Sequence, residues 1–376
     1  MKTVLVHEDI AKFIHFMKAR TMWYGTTVPW DDSLFDRFRK SYTDLKWLFC
    51  LLFFFMCGFS LSFADNFGLF DGTFIYWPIC FMMTLLTSIA KFTARKQDVL
   101  MTSLNDHFLR NTEPWMRSIK DDYIKSLWKF IHFFSSYQLL VSILYMVVPF
   151  VADLILHYGF DYLESPISMP TPLSPIIKYN NAWNVKHFAV TVVNLWAFVE
   201  VVLIVQWFIA NFSLTTVFVL TELIIFKHQV KSLNFEDEDN WEQQVKNIVD
   251  KHNQMIRLCK DLKDYLGLSS ALVCFFTSLV LTFTTFTMYA SSDITLRLSY
   301  GCGFSLYFSS ALLNSYLGQK LENESDEVFK ALYGLRWYRF KPEARKSLNM
   351  MMRQARDPLI IDFHGRYKMN LSNFIS

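Results

Sequence analysis

The chain has 376 residues, of which 52% are hydrophobic, 18% aromatic and 19% charged. A soluble domain carries about 25% charged residues; here the charges are fewer and gather between long apolar runs, the pattern of an all-α, polytopic membrane protein. The net charge of +3 gives no footing for a nucleic-acid partner.

Residues 1–42 read as a cytoplasmic segment, with no long apolar core and no cleavage site, so not as a signal peptide. A spanning helix needs about 20 mostly apolar residues, and six candidates follow in order: 43–64, 73–91, 127–156, 184–219, 268–290 and 296–317. Pro149 is expected to kink the third. The fourth is too long for a bilayer and is expected to run on into the cytoplasm. A seventh begins near Asp362, so 358–376 reads as the start of a last helix. The six cysteines, Cys50, Cys57, Cys80, Cys259, Cys274 and Cys302, mostly lie inside apolar runs without metal-ligand spacing and read as small buried hydrophobes.

Lys and Arg alternate with the spans. The loops after spans two and four and the segment after span six are rich in both, whereas the loops after spans one and three are nearly free of them. The positive-inside rule then places the N-terminus inside and, with a seventh span, the C-terminus outside. That orientation argues against a G-protein-coupled receptor, and no Asp-Arg-Tyr or Asn-Pro-x-x-Tyr element stands where one would need it.

After span six, residues 318–357 read as cytoplasmic anchor helices. Ala344, Leu348, Met351, Met352 and Ala355 fall at i, i+4, i+7, i+8 and i+11, one apolar stripe, with Arg345, Lys346, Arg353 and Arg356 on the other faces. Pro342 suits the first turn and Asp357-Pro358 stops the helix. Such a helix either lies on acidic lipid heads or packs in the cytoplasm against neighbouring subunits.

The same run carries a family resemblance. Ala331, Tyr333, Trp337 and Tyr338, then Lys346, Leu348, Met352, Arg353, Pro358 and Leu359, then Asn370, Leu371 and Phe374 are similar to the C-terminal signature of insect odorant receptors. The run beginning at His252 resembles the segment ahead of that family's fifth span. The resemblance implies an odorant-binding subunit that joins the shared co-receptor Orco in a heterotetrameric, ligand-gated, non-selective cation channel of the plasma membrane of olfactory neurons. It implies an odorant seat in the outer halves of spans two, three, four and six. Leu371 and Phe374 would line the pore, and Trp337, Tyr338, Leu348, Met351 and Met352 would contact neighbouring subunits. Family members continue for about half a helix beyond the last matched element, so the resemblance implies a longer pore helix than 367–376 can form.

Odorants are small and mostly apolar, so their seat should be aromatic and aliphatic with one or two polar contacts. Tyr76, Trp77, Cys80 and Phe81 on span two, Tyr137, Gln138, Val141 and Tyr145 on span three, Val193, Trp196 and Ala197 on span four, and Tyr300, Phe304 and Tyr307 on span six are the candidates. Each ring alone is better explained by helix packing or an interfacial belt; the set as a whole points to a ring-bearing ligand, a phenolic or indole-like volatile. Glu200, inside the apolar run of span four, belongs either to a hydrophilic cavity or to the cytoplasmic half of that span. The acidic run 236–239 reads as a solvated loop or as a cation-attracting portal.

The closest alternative is a gustatory receptor of the same fold, whose Thr-Tyr-hydrophobic-x-x-Gln-Phe element is absent. A secondary transporter would need two related halves with broken helices, and none match. There is no phosphate loop, metal-ligand set or catalytic triad, so no enzyme and no cofactor is expected.

Overall fold

The computed structural model describes residues 34–61, 73–110, 113–158, 185–233, 241–291, 294–335, 337–362, 365 and 367–375. Six long helices carry the fold: α1 Leu34–Leu61, α2 Thr73–Arg110, α3 Pro114–Tyr158, α4 Val185–Lys231, α5 Trp241–Ala290 and α6 Ile294–Tyr333. A 3-10 turn, Trp337–Arg339, leads to α7, Pro342–Ala355, and then to the short α8, Leu371–Ile375. Among the described residues no strand occurs.

The described residues of each of the first six predicted spans lie within a longer helix. What reads as the loop between spans two and three is helix up to Arg110 and again from Pro114. The basic loop expected between spans four and five is largely helical too: Lys227 and Lys231 end α4, and Lys246 to Lys263 ride on the first half of α5. Charged residues at helical spacing sustain a helix as well as apolar ones do; they only move it out of lipid. Helix α3 continues through Pro149, and α2 runs on through Pro78. Among the described residues, three helical stretches are long and apolar enough to cross a membrane, within Pro114–Tyr145, Val199–Lys231 and Gln243–Ala290; Trp47–Phe59 and Pro78–Thr93 are shorter apolar helices.

Helix α4 is the hub. It is apolar on every side, and from Val201 to Phe226 almost every residue is buried, as expected of a helix enclosed by others. Helices α3, α5 and α6 pack around it. The Thr-rich upper half of α5 solves a different problem. Ser278, Thr282, Thr284, Thr285 and Thr287 donate their hydroxyls to carbonyls one turn earlier at 2.8–2.9 Å, so no polar hydrogen is stranded in an apolar setting.

At the charged ends of the predicted spans, ion pairs tie the long helices together. Lys120 on α3 meets Glu222 on α4 at 2.7 Å, and Lys227 on α4 meets Glu324 on α6 at 2.6 Å. His252 on α5 is buried beside the Phe226 ring, with centroids 5.6 Å apart. Burial disfavours the imidazolium and brings the His252 pKa down to about 4 from an ordinary 6.5. The folded state therefore binds fewer protons than the unfolded chain between those values. The stability this gives is complete above pH 6.5 and is lost as pH falls toward 4. Melting curves of the solubilised chain should show a loss of about 2 kcal/mol from this group between pH 7.5 and pH 5, and His252→Gln should flatten that part of the pH dependence. An unaltered pH profile in the variant would remove His252 as its source.

Helix α7 carries the apolar stripe, but it faces inward. Ala344, Leu348 and Met351 are buried against the chain's own core. Leu348 and Met351 are only 1% and 3% exposed, which corrects the expectation that they contact neighbouring subunits. The expected seventh span also starts later. The described residues 356–362 and 367–370 form a largely irregular strap, and the helix begins at Leu371 rather than near Asp362.

Candidate functional site

The candidate ligand residues come from four helices, and the geometry brings several of them together. Cys80 on α2 packs in one small apolar cluster with Phe53 and Cys57 of α1 and Ala197 of α4; Phe54, Val193 and Trp196 lean against it. The Cys57 and Cys80 sulfurs are 3.8 Å apart. Tyr307 on α6 is buried within electrostatic reach of Cys80 and of Tyr145 on α3. The Tyr145 ring also lies against Gly303, one turn before Tyr307 on α6, so close that a Cβ there would sit 3.3 Å from it. Cys80 and Ala197 thus pack together from two helices, with Tyr145 and Tyr307 of two further helices nearby.

The aromatic neighbours extend this group. Trp196 meets Phe49 edge-on at 4.2 Å. Phe81 contacts Phe54 at 5.1 Å and Phe276 of α5 at 5.2 Å. Tyr300 is fully buried, and Phe304 stacks on Phe308 at 5.5 Å. The polar candidates are partly committed already. Gln138 is buried and donates its amide to Ser310 of α6 at 2.9 Å; Tyr137 shares a 2.5 Å bond with Ser305. Val141 is buried. The Tyr76 and Trp77 side chains lie outside the described ones, as does the acidic run 236–239.

The remaining candidates separate. Phe374 of α8 touches Phe308 at 5.5 Å, with Leu371 half-buried at the same short helix. Trp337 and Tyr338 meet edge to face at 6.3 Å, Trp337 half-buried and Tyr338 exposed; Met352 is half-buried. Sequence reasoning missed Cys57, Phe53 and Ser142. Cys57 lies i+7 from Cys50, a spacing that marks one buried face, but nothing in the pattern says which helix that face meets.

Comparison with known proteins fixes the family. The family model described as 7tm Odorant receptor matches residues 72–376. The chain belongs to that family. No curated protein matches it. Among solved structures, the insect olfactory receptor OR5 from Machilis hrabei shares the fold with a TM-score of 0.70 at 12% identity, covering 97% of this chain and 94% of that one. The same receptor in complex with eugenol gives a TM-score of 0.72 at 12% identity, covering 98% and 96%. This odorant receptor is accordingly a membrane protein of the olfactory receptor class, and its family is one of receptors and channels rather than enzymes.

Proposed function

We propose that this receptor is the odorant-binding subunit of a ligand-gated, non-selective cation channel assembled with Orco in the plasma membrane of olfactory sensory neurons. Its N-terminus lies inside, and six spans over residues 43–317 hold the ligand in their outer half. Residues 318–357 anchor it in the cytoplasm, and residues 358–376 lead into the pore-lining helix, which starts at Leu371. The observation that carries the reading is the packing of Cys80 against Ala197, with Tyr145 and Tyr307 of two further helices nearby. A ligand seated there touches every span that must move if binding is to favour one state over another. The shift it produces is bounded by its difference in affinity for the open and closed states.

The ligand is a small ring-bearing volatile, phenolic or indole-like. The rings around the site support this, since edge-to-face pairs contribute about 0.5–1.5 kcal/mol each. So does the olfactory receptor solved with eugenol, itself a phenol. Whole-cell current in cells expressing this chain with and without Orco, over a panel of aromatic volatiles, tests the proposal. Evoked current only with Orco is expected; none in any cell with confirmed surface protein would overturn it. Tyr145→Ala and Trp196→Ala should each raise the half-maximal odorant concentration about tenfold or more while surface assembly is unchanged. Superimposable dose–response curves would take both residues out of the seat.

A further inference from the structure

We propose that Glu200, together with the Ser142 hydroxyl, is the polar anchor of the ligand seat and accepts a hydrogen bond from a donor group on the odorant. The inference rests on the odorant-seat reading and names the polar end of the ligand that fits it.

Glu200 is 3% exposed, in the apolar run of α4. It follows Ala197 by three residues and precedes Ile204 by four, and both of those are buried; Val192 and Val199 define the outward face. Glu200 therefore shares the inward face of Ala197, one turn deeper than the place where Ala197 packs against Cys80. Intramembrane ionisable groups are costly, and their default reading is functional.

The register of α3 against α4 supplies the second group. Three contacts mark the ladder: Met116 with Gln229, Lys120 with Glu222, and the Ser135 carbonyl with Gln206. Numbers rise along α3 as they fall along α4, so the helices are antiparallel. Two turns beyond the last contact, at about 1.5 Å per residue, the ladder reaches Ser142 on α3 and Glu200 on α4. Ser142 is 4% exposed, and its hydroxyl oxygen is buried without a hydrogen-bond partner. A serine inside an apolar helix ordinarily returns its hydroxyl to the turn before, so one that does not is placed for something else. Gln138, one turn below, is already spent on Ser310.

A carboxyl group accepts hydrogen bonds in either protonation state and has room for more than one. Paired with a serine hydroxyl, it suits a single donor: the O–H of a phenol or the N–H of an indole. The ring of that ligand would then extend outward among Ala197, Cys80 and Tyr307. A site built to hold such a donor rejects the analogue that lacks it, because the buried Ser142 hydroxyl is then left without its bond.

The test uses two matched pairs, 4-ethylphenol against 4-ethylanisole and indole against N-methylindole, on the full chain co-expressed with Orco. The same probes are scored by thermal shift on the purified chain, which needs no current. In the unaltered receptor the donor-bearing member should act at a concentration at least about tenfold lower than its methylated partner. Glu200→Leu should collapse that ratio to about one. Glu200→Gln, which keeps a carbonyl acceptor, should retain part of it, and Ser142→Ala should reduce it while leaving the protein at the surface. Equal potency of each pair in the unaltered chain overturns the anchor, as does a ratio unchanged in Glu200→Gln and Ser142→Ala. A thermal shift that obeys these ratios without any current would keep the anchor and sink the channel reading. The absence of a shift with all four probes would sink the anchor.

Discussion

Glu222→Ala should lower the stability of the folded bundle by about 3–5 kcal/mol. Its partner Lys120 is 1% exposed on α3, and the Nζ to Oε1 distance is 2.7 Å. Removing the carboxylate leaves an ammonium buried without it, in surroundings that cannot solvate the charge. The pair also sets the antiparallel register of α3 on α4, so the loss would loosen the hub. Replacing both partners, Lys120→Met with Glu222→Leu, should return most of the stability, because a well-packed apolar pair of similar volume avoids the desolvation cost. Thermal melts of the solubilised chain and its three variants complete the cycle. A single-variant melt indistinguishable from the parent would show that the pair does not hold these helices. Lys330, which pairs with Asp326 and Glu327 in full exposure on α6, should by contrast be replaceable with little effect.

Gly318→Ala is the second large effect. A Cβ on Gly318 of α6 would fall on the carbonyl oxygen of Met369, which no real side chain tolerates. The irregular strap between α7 and α8 lies against α6 at this point and against Gly267 of α5, where a Cβ would sit 2.8 Å from the Asp362 carbonyl oxygen. The strap is held by several separate bonds. Met369 donates its amide to the Ile361 carbonyl at 2.9 Å, Leu359 donates to Ser325 at 3.0 Å, and Asn370 donates to Glu322 at 3.1 Å. Lys263 also pairs with Asp362. An alanine at Gly318 must push the strap away and break part of this set, at a cost of about 1–3 kcal/mol or more. The expected result is a lowered melting temperature together with loss of evoked current, since α8 follows directly from the displaced backbone. Gly301→Ala, whose Cβ would meet only the flexible end of Met288 at 3.6 Å, is the control and should behave like the parent. If the two variants melt and conduct alike, the close approach at Gly318 has no mechanical role.

Much of the fold was legible because its causes are local. Apolar runs of about 20 residues mark spans, and the stripe from Ala344 to Ala355 marks α7. The extensions of α2 and α5 were not legible as helix, since hydropathy reports where lipid ends and not where the helix ends. The late start of α8 was hidden for a related reason: Leu359 and Asp362 of the strap are bonded to α6 and α5, which are distant in sequence.

The candidate site divides the same way. That Cys80, Tyr145, Ala197 and Tyr307 are buried apolar-face residues follows from their positions in their own helices, and the family was readable from the motif around Trp337, Tyr338 and Met352. Which of them meet depends on how four helices pack. The sequence by itself determined a helical membrane protein of the odorant receptor family, because hydrophobic length and a contiguous motif are properties of one segment at a time. Tertiary structure alone decided that Leu348 and Met351 turn inward, that Lys120 finds Glu222, and that Ser142 and Glu200 lie at one depth. Each of these depends on how segments far apart along the chain pack, and one helix's periodicity carries no information about the register of another.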